Sequence, residues 1–335
     1  MSGTDRCGLY EVVPAGFDLL NASPAELDRY GIPQKPDVVT EPELFQFWTE
    51  LVSAPFSAKQ PTFADIDPPS TGGALQSMLN WSGALISTPW PQQIVFAAAG
   101  WNVPDVRRPS VSALGTHADD PKSLLWVGLD GRNGVLPNVS LPQIGTGHWP
   151  DRKPKHFAWW DWWHNTQPDE ATGKSAAAPP EPQAITLIDN LAIETGHKIL
   201  AGLAVQVSGD ILYFIKNQST GEFRSFLAPP PPGEIEPLGS SVQWVMERPT
   251  DPKSRDLFPL PDYDPVNFRY CVARAADGAI GSGRMMTLED NALMIEMRET
   301  FADPERTVIV SRPELRQETP NGPIGVSCTF QDPAV

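Results

Sequence analysis

Ile199, Ala201, Leu203, Val205 and Val207 place an apolar side chain at every second position, the period of a half-buried strand. Ser208-Gly209-Asp210 then turns the chain into 211–215, and residues 217–221 turn it again into 223–227. A meander with turn signals every eight to twelve residues is the pattern of a sandwich or barrel. Further strands are expected near 83–87, 93–101, 124–129, 156–163, 242–247, 267–273, 284–288, 292–298 and 306–311. Strands do not alternate with helices, so a doubly wound parallel sheet is excluded. The 37 prolines and 26 glycines among 335 residues also disfavour long helices. The fold class expected from this pattern is all-β, a sandwich or a barrel of antiparallel strands.

The first 75 or so residues differ. Ser23-Pro24-Ala25-Glu26 is a capping box with proline at the first helical position, and Gly31 is a stop. Thr40-Glu41-Pro42-Glu43 repeats the device before Leu44, Trp48, Leu51 and Val52, which form one apolar stripe. Such a helix could dock a partner or belong to a removable segment. Packing on its own domain is the favoured reading, because apolar stripes usually face a core. Residues 64–73 read as a linker, and the proline-rich stretches 178–182 and 228–232 as stiff loops. The expected organisation is an extension over 1–75, a sandwich over 76–315 and a tail over 316–335.

Composition removes several functions. The net charge of −16 repels phosphates and anionic lipid, so neither nucleic acid nor a membrane is an expected partner. Cys7, Cys271 and Cys328 form no CxxC pair, which argues against structural zinc; a Cys271–Cys328 disulfide is the best pairing on offer. None of the five histidines forms HExxH, and GxSxG, GxxxxGK[ST] and GxGxxG are missing, so no metal or nucleotide cofactor is expected. The first residues do not read as a secretory signal, so the chain taken literally stays in the cytoplasm or leaves by another route.

Five of the eleven tryptophans fall at 149, 159, 160, 162 and 163. In a strand, Trp159, Asp161 and Trp163 share one face, while Trp160 and Trp162 share the other. One face can serve a core. The other, with a carboxylate between indoles, suits a cleft for an extended peptide or a sugar chain.

Five strings then occur in order: Asn80-Trp81-Ser82-Gly83-Ala84, Trp126-Val127-Gly128-Leu129-Asp130-Gly131, Leu141-Pro142-Gln143-Ile144-Gly145, 158–163 (AWWDWW) and Val242-Gln243-Trp244-Val245-Met246-Glu247. The set resembles the glutamic peptidases, the eqolisin family, whose strings read approximately NWxGA, WVGIDG, LQTG, AWYEWY and AEWIVE. The likeness runs from about Asn80 to Ser311. It implies an all-β fold, an antiparallel two-sheet sandwich of the jelly-roll kind, with a groove across one sheet, a polypeptide substrate, and peptide hydrolysis at acid pH without metal or cofactor. In that chemistry a Glu carboxylate takes a proton from water and a Gln amide donates to the oxyanion. Gln143 matches the family glutamine. Trp126, Asp130, Trp159 and Asp161 match groove residues, and Trp163 shares their face; Asp161 is one methylene shorter than the family Glu.

The other half of the dyad departs. The catalytic Glu falls on Gln243, whose amide cannot act as a base. Losing a positioned base costs on the order of 10² to 10⁴ in rate. The resemblance therefore implies a peptide-binding protein with impaired hydrolysis. The alternatives are an active acid endopeptidase with a relocated base, Glu247 or Asp161, and a carbohydrate-binding sandwich. Gln143 and Gln243 are expected side by side on neighbouring strands, between Trp126 and Trp159.

Overall fold

The computed structural model describes residues 7–66, 77–89, 91–110, 119–131, 138–166, 185–231, 237–251, 254, 256–276, 283–302, 305–317 and 322–334. Most of the 64–73 linker and the 178–182 stretch lie outside these residues. Half of the chain is strand and 9% is helix, the all-β class that the alternation predicts.

The helices are α1 (Pro24–Arg29), α2 (Pro42–Val52) and the single turn α3 (Ser77–Asn80). The principal strands follow in chain order. They are β1 (Phe63–Asp65), β2 (Trp81–Ser87), β3 (Gln93–Asn102), β4 (Ser123–Leu129), β5 (Asn138–His148), β6 (His156–Thr166), β7 (Thr186–Ile188) and β8 (Lys198–Val205). Then come β9 (Ile211–Asn217), β10 (Glu222–Ala228), β11 (Ser241–Glu247), β12 (Val266–Ala276), β13 (Leu293–Ile295), β14 (Met297–Ala302), β15 (Glu305–Gln317) and β16 (Ile324–Phe330). Strands β13, β2, β11, β4, β5, β6, β7 and β1, in that spatial order, make an eight-stranded sheet. The second sheet has eleven strands, and its main path runs from Gly8–Leu9 through β10, β9, β8, β3, β12, β16 and β15 to β14.

The inner faces of the two sheets form one apolar core. Val127, Ile144, Trp160 and Trp244 meet Trp101, Tyr213, Ile215 and Phe226 there. Buried indoles and phenols need partners for their polar ends, and here these partners stitch the layers together. Trp244 Nε1 donates to Ala98 O at 3.0 Å, Trp101 Nε1 to Thr146 Oγ1 at 3.0 Å, and Tyr213 Oη to Asp161 O at 3.2 Å.

The N-terminal segment packs on its own domain, as the apolar stripe suggests. Its buried side chains cluster with the outer face of the eleven-stranded sheet. The capping box at Ser23 and Glu26 forms. The second box does not: Glu41 is the N-cap of α2, without a side-chain cap bond. Its carboxylate is drawn instead to Arg274, which donates to both oxygens at 2.6 and 2.7 Å.

Three other expectations change. Cys271 and Cys328 are free, buried thiols; burial pushes both well above the usual thiol range, Cys328 to about 12, so both stay protonated and inert. The segment expected as a tail contains β16, which pairs with both β12 and β15. Strand β5 appears where only the Gln143 string was recognised, with Pro142 in its middle.

Candidate functional site

Alternation decides which side chains leave the core. In β11, Val242, Trp244 and Met246 point inward, so Gln243, Val245 and Glu247 share the outer face. By the same count the outer face holds Trp126 and Gly128 of β4, Leu141, Gln143 and Gly145 of β5, and Trp159, Asp161 and Trp163 of β6.

Register then lines them up. Gln243 pairs with Gly128, Gly128 with Gln143, and Gln143 with Asp161. One row therefore crosses four strands at right angles to the chain direction. The two glutamines are not on neighbouring strands, because β4 separates them. What lies between them is a residue with no side chain. A Cβ at Gly128 would meet Pro142 O at 3.0 Å and Gln143 Cβ at 3.1 Å. The bare backbone leaves open the space over which two glutamine amides, about 10 Å apart at their Cα atoms for two strand spacings, can converge. Both glutamines are fully buried.

The next row repeats the device. Trp126 pairs with Gly145 and Gly145 with Trp159, so two indoles flank a second glycine. Their rings join Leu141, Leu187 and Val245 in a buried outer cluster, with Trp163 half-buried beside it.

The polar groups have distinct duties. Gln243 Nε2 donates to Ser241 Oγ at 2.7 Å, and Ser241 Oγ donates to Asp130 O at 3.2 Å; Gln243 Oε1 is buried with no hydrogen-bond partner among the described residues. Asp130 accepts from Leu238 N at 2.7 Å, Gly239 N at 3.3 Å, Ser240 N at 2.8 Å and Ser240 Oγ at 3.0 Å. Its burial pushes the carboxyl above the usual range, and these donors pull it back. Asp130 thus ties the lead-in of β11 to the end of β4. Glu247 accepts from Trp126 Nε1 at 2.7 Å and from Asn80 Nδ2 at 3.2 Å. It fixes a wall indole and stands four residues along β11 from Gln243, roughly 13 Å in a strand. Asp161, by contrast, lies one strand from Gln143 in the same row.

Sequence reasoning missed Gly128 and Gly145 as spacers, and Ser241 as the amide's partner. The glycines stood in the quoted strings, but their use depends on strand order. It also missed a pair of buried histidines on the inner face, His148 and His156, whose Nδ1 atoms are 2.9 Å apart. Among the described residues, no group of His, Cys, Asp and Glu could hold a metal ion.

The sequence profile of the peptidase A4 family matches residues 79–308. Two solved structures share the fold. Scytalido-glutamic peptidase with a transition state analog inhibitor is 15% identical at a TM-score of 0.52, covering 76% of this chain and 98% of that one. SCP-B, a member of the eqolisin family in complex with the tripeptide Ala-Ile-His, is 15% identical at a TM-score of 0.50, with the same 76% and 98% coverage. No curated protein sequence matches the chain.

Proposed function

The chain belongs to the peptidase A4 family of glutamic peptidases, and from that premise we propose that it takes an extended polypeptide across the outer face of the eight-stranded sheet and hydrolyses it poorly. The observation that supports this reading is the row Gln243–Gly128–Gln143 on one sheet face, taken with the resemblance of the Gln243 string to the one in which the family carries its general base. Gln143 keeps the donor role, because its N–H can meet the negative charge that develops on a scissile carbonyl. Gln243 fills the volume of a glutamate without its basicity. Trp126, Trp159 and Trp163 are the walls, Asp161 is the polar contact beside Gln143, and Asp130 shapes the site by holding the loop before β11. A peptide ligand agrees with the tripeptide held by the eqolisin SCP-B.

The test is cleavage of one unfolded protein by the unaltered chain and by Gln243→Glu, across pH 3–7. The variant is expected to be faster by about 10² to 10⁴, the usual worth of a positioned base. Peptide binding to the unaltered chain, without turnover, is the companion measurement. Equal activity of the two forms would sink the assignment of Gln243.

A second reading rests on Asp161. Of the two carboxylates that could replace the base, Glu247 stands four residues along β11 from Gln243, roughly 13 Å, whereas Asp161 is in register with Gln143 on the next strand. If the unaltered chain does cleave, Asp161→Asn should abolish cleavage and Glu247→Gln should weaken it only by loosening Trp126.

A further inference from the structure

The residues that precede the family match at 79 are tied to both sheets. On the outer face of the eleven-stranded sheet, Phe47, Trp48 and Leu51 of α2 pack with Phe96, Phe214 and Val272. Polar groups lock the same contact. Lys216, 2% exposed, donates from Nζ to Leu51 O at 2.9 Å, Ser53 O at 2.6 Å and Glu50 O at 3.3 Å, the open carbonyls at the end of α2. Arg274 holds Glu41 at the other end. Shedding this segment would bare a contiguous aromatic face, which a soluble domain rarely shows.

The chain then crosses to the other sheet. Ser57–Ala58 pairs with β10, and β1 pairs with β7 at the edge of the eight-stranded sheet. Thr186 sits opposite both Asp65 and Trp160. One step further in the same register sets Ile185 between Ile66 and Asp161. Ile185 and Ile66 are buried and belong to the cluster that contains Trp126 and Trp159. The row of the two glutamines therefore runs on, past Asp161, to two isoleucines, the last supplied by the N-terminal segment.

Ile66 lies four strand spacings from Gly128, about 19 Å at 4.8 Å each. An extended ligand laid along the row covers that length with about six residues at 3.3 Å per residue. Resting on the reading given above, we propose that residues 7–66 are a retained part of the site, not a segment removed to open it, and that Ile66 with Ile185 forms a distal subsite for an apolar ligand side chain about six residues from the glutamine pair.

Two measurements on the full chain test this. In the first, twelve-residue polar peptides carry one fixed aromatic anchor and a single leucine moved position by position, with binding read by fluorescence anisotropy. Leucine at one distal position should tighten binding to the unaltered chain about tenfold. Ile66→Ser should erase that gain, and Ile66→Phe should move the preference to a smaller side chain, with gains at other positions kept. A distal preference identical in all three forms, or none in the unaltered chain, overturns the subsite while the peptide-binding reading stands. Failure of every peptide to bind overturns both. In the second, a protease site placed between Ile66 and Ser77 is cut under native conditions. The two pieces should co-elute on size exclusion with an unchanged circular dichroism spectrum; release of the N-terminal piece overturns retention.

Discussion

At Gly128 a hydrogen atom stands where any other residue would put a carbon between two glutamines. Gly128→Ala should cost about 1–3 kcal/mol of stability by overpacking, because its Cβ would press on Pro142 O and Gln143 Cβ at 3.0 and 3.1 Å. Placed in the Gln243→Glu form, it should also remove most of the gained cleavage, since Gln143 is pushed off its row. Urea unfolding and a cleavage assay on the same preparation check this; a folded Gly128→Ala form with full activity would show that the spacing is not needed. That Gln143 and Gln243 would share one sheet face was readable from the strings in which they sit. So was the shared face of Trp159, Asp161 and Trp163, because strand period is local. The glycine spacer was not readable. It depends on β4 lying between β5 and β11, and sheet order is a long-range property that no local pattern carries.

The same division holds for whole elements. The meander β8–β9–β10 was legible because its strands alternate cleanly and its turns are short. Strand β5 was hidden by Pro142, a residue that argues against a central strand because it cannot donate to the ladder. The protein tolerates it within the longest stretch of pairing to β6, eleven positions from Asn138 to His148. The stripe of α2 was legible as apolar, but a stripe does not say which sheet it will cover. The deciding signals were polar and remote in sequence: Lys216 at one end of α2 and Arg274 at the other. Lys216→Met should therefore destabilise by about 3 kcal/mol, more than its apolar stem could return, because it leaves buried carbonyls unmet. Thermal unfolding together with limited proteolysis should show the N-terminal segment opening first. An unchanged midpoint would mean that apolar packing alone holds the segment.

At the scale of the molecule, one feature of the core opposes the acid chemistry of the family. His148 and His156 face each other between the sheets. His148 Nε2 lies 3.0 Å from Thr146 Oγ1, which Trp101 also reaches, and His156 Nε2 lies 2.9 Å from Thr195 Oγ1. Lys155, itself paired with Asp105, and His197 are the charged and titratable neighbours. Burial holds His148 well below its usual range and brings His156 down to about 4 from 6.5, with Lys155 adding to the second shift. The unfolded chain therefore takes up these protons first as pH falls. Stability contributed by the neutral pair is complete above about 6.5 and declines through 6 and 5; the His156 share stops declining near 4, where folded His156 protonates too, while the His148 share goes on falling. His156 alone accounts for roughly 3 kcal/mol over that window, at 1.36 kcal/mol per unit. Urea midpoints at pH 7, 6 and 5 measure this before most carboxylates titrate. The unaltered chain should lose stability steadily, and His156→Gln, which can still bond both neighbours, should flatten the slope. Equal slopes in the two proteins would remove the histidine pair as the cause. A falling curve that flattens in the variant would show that the histidine pair costs this core stability as the pH falls toward the acid range in which the family works.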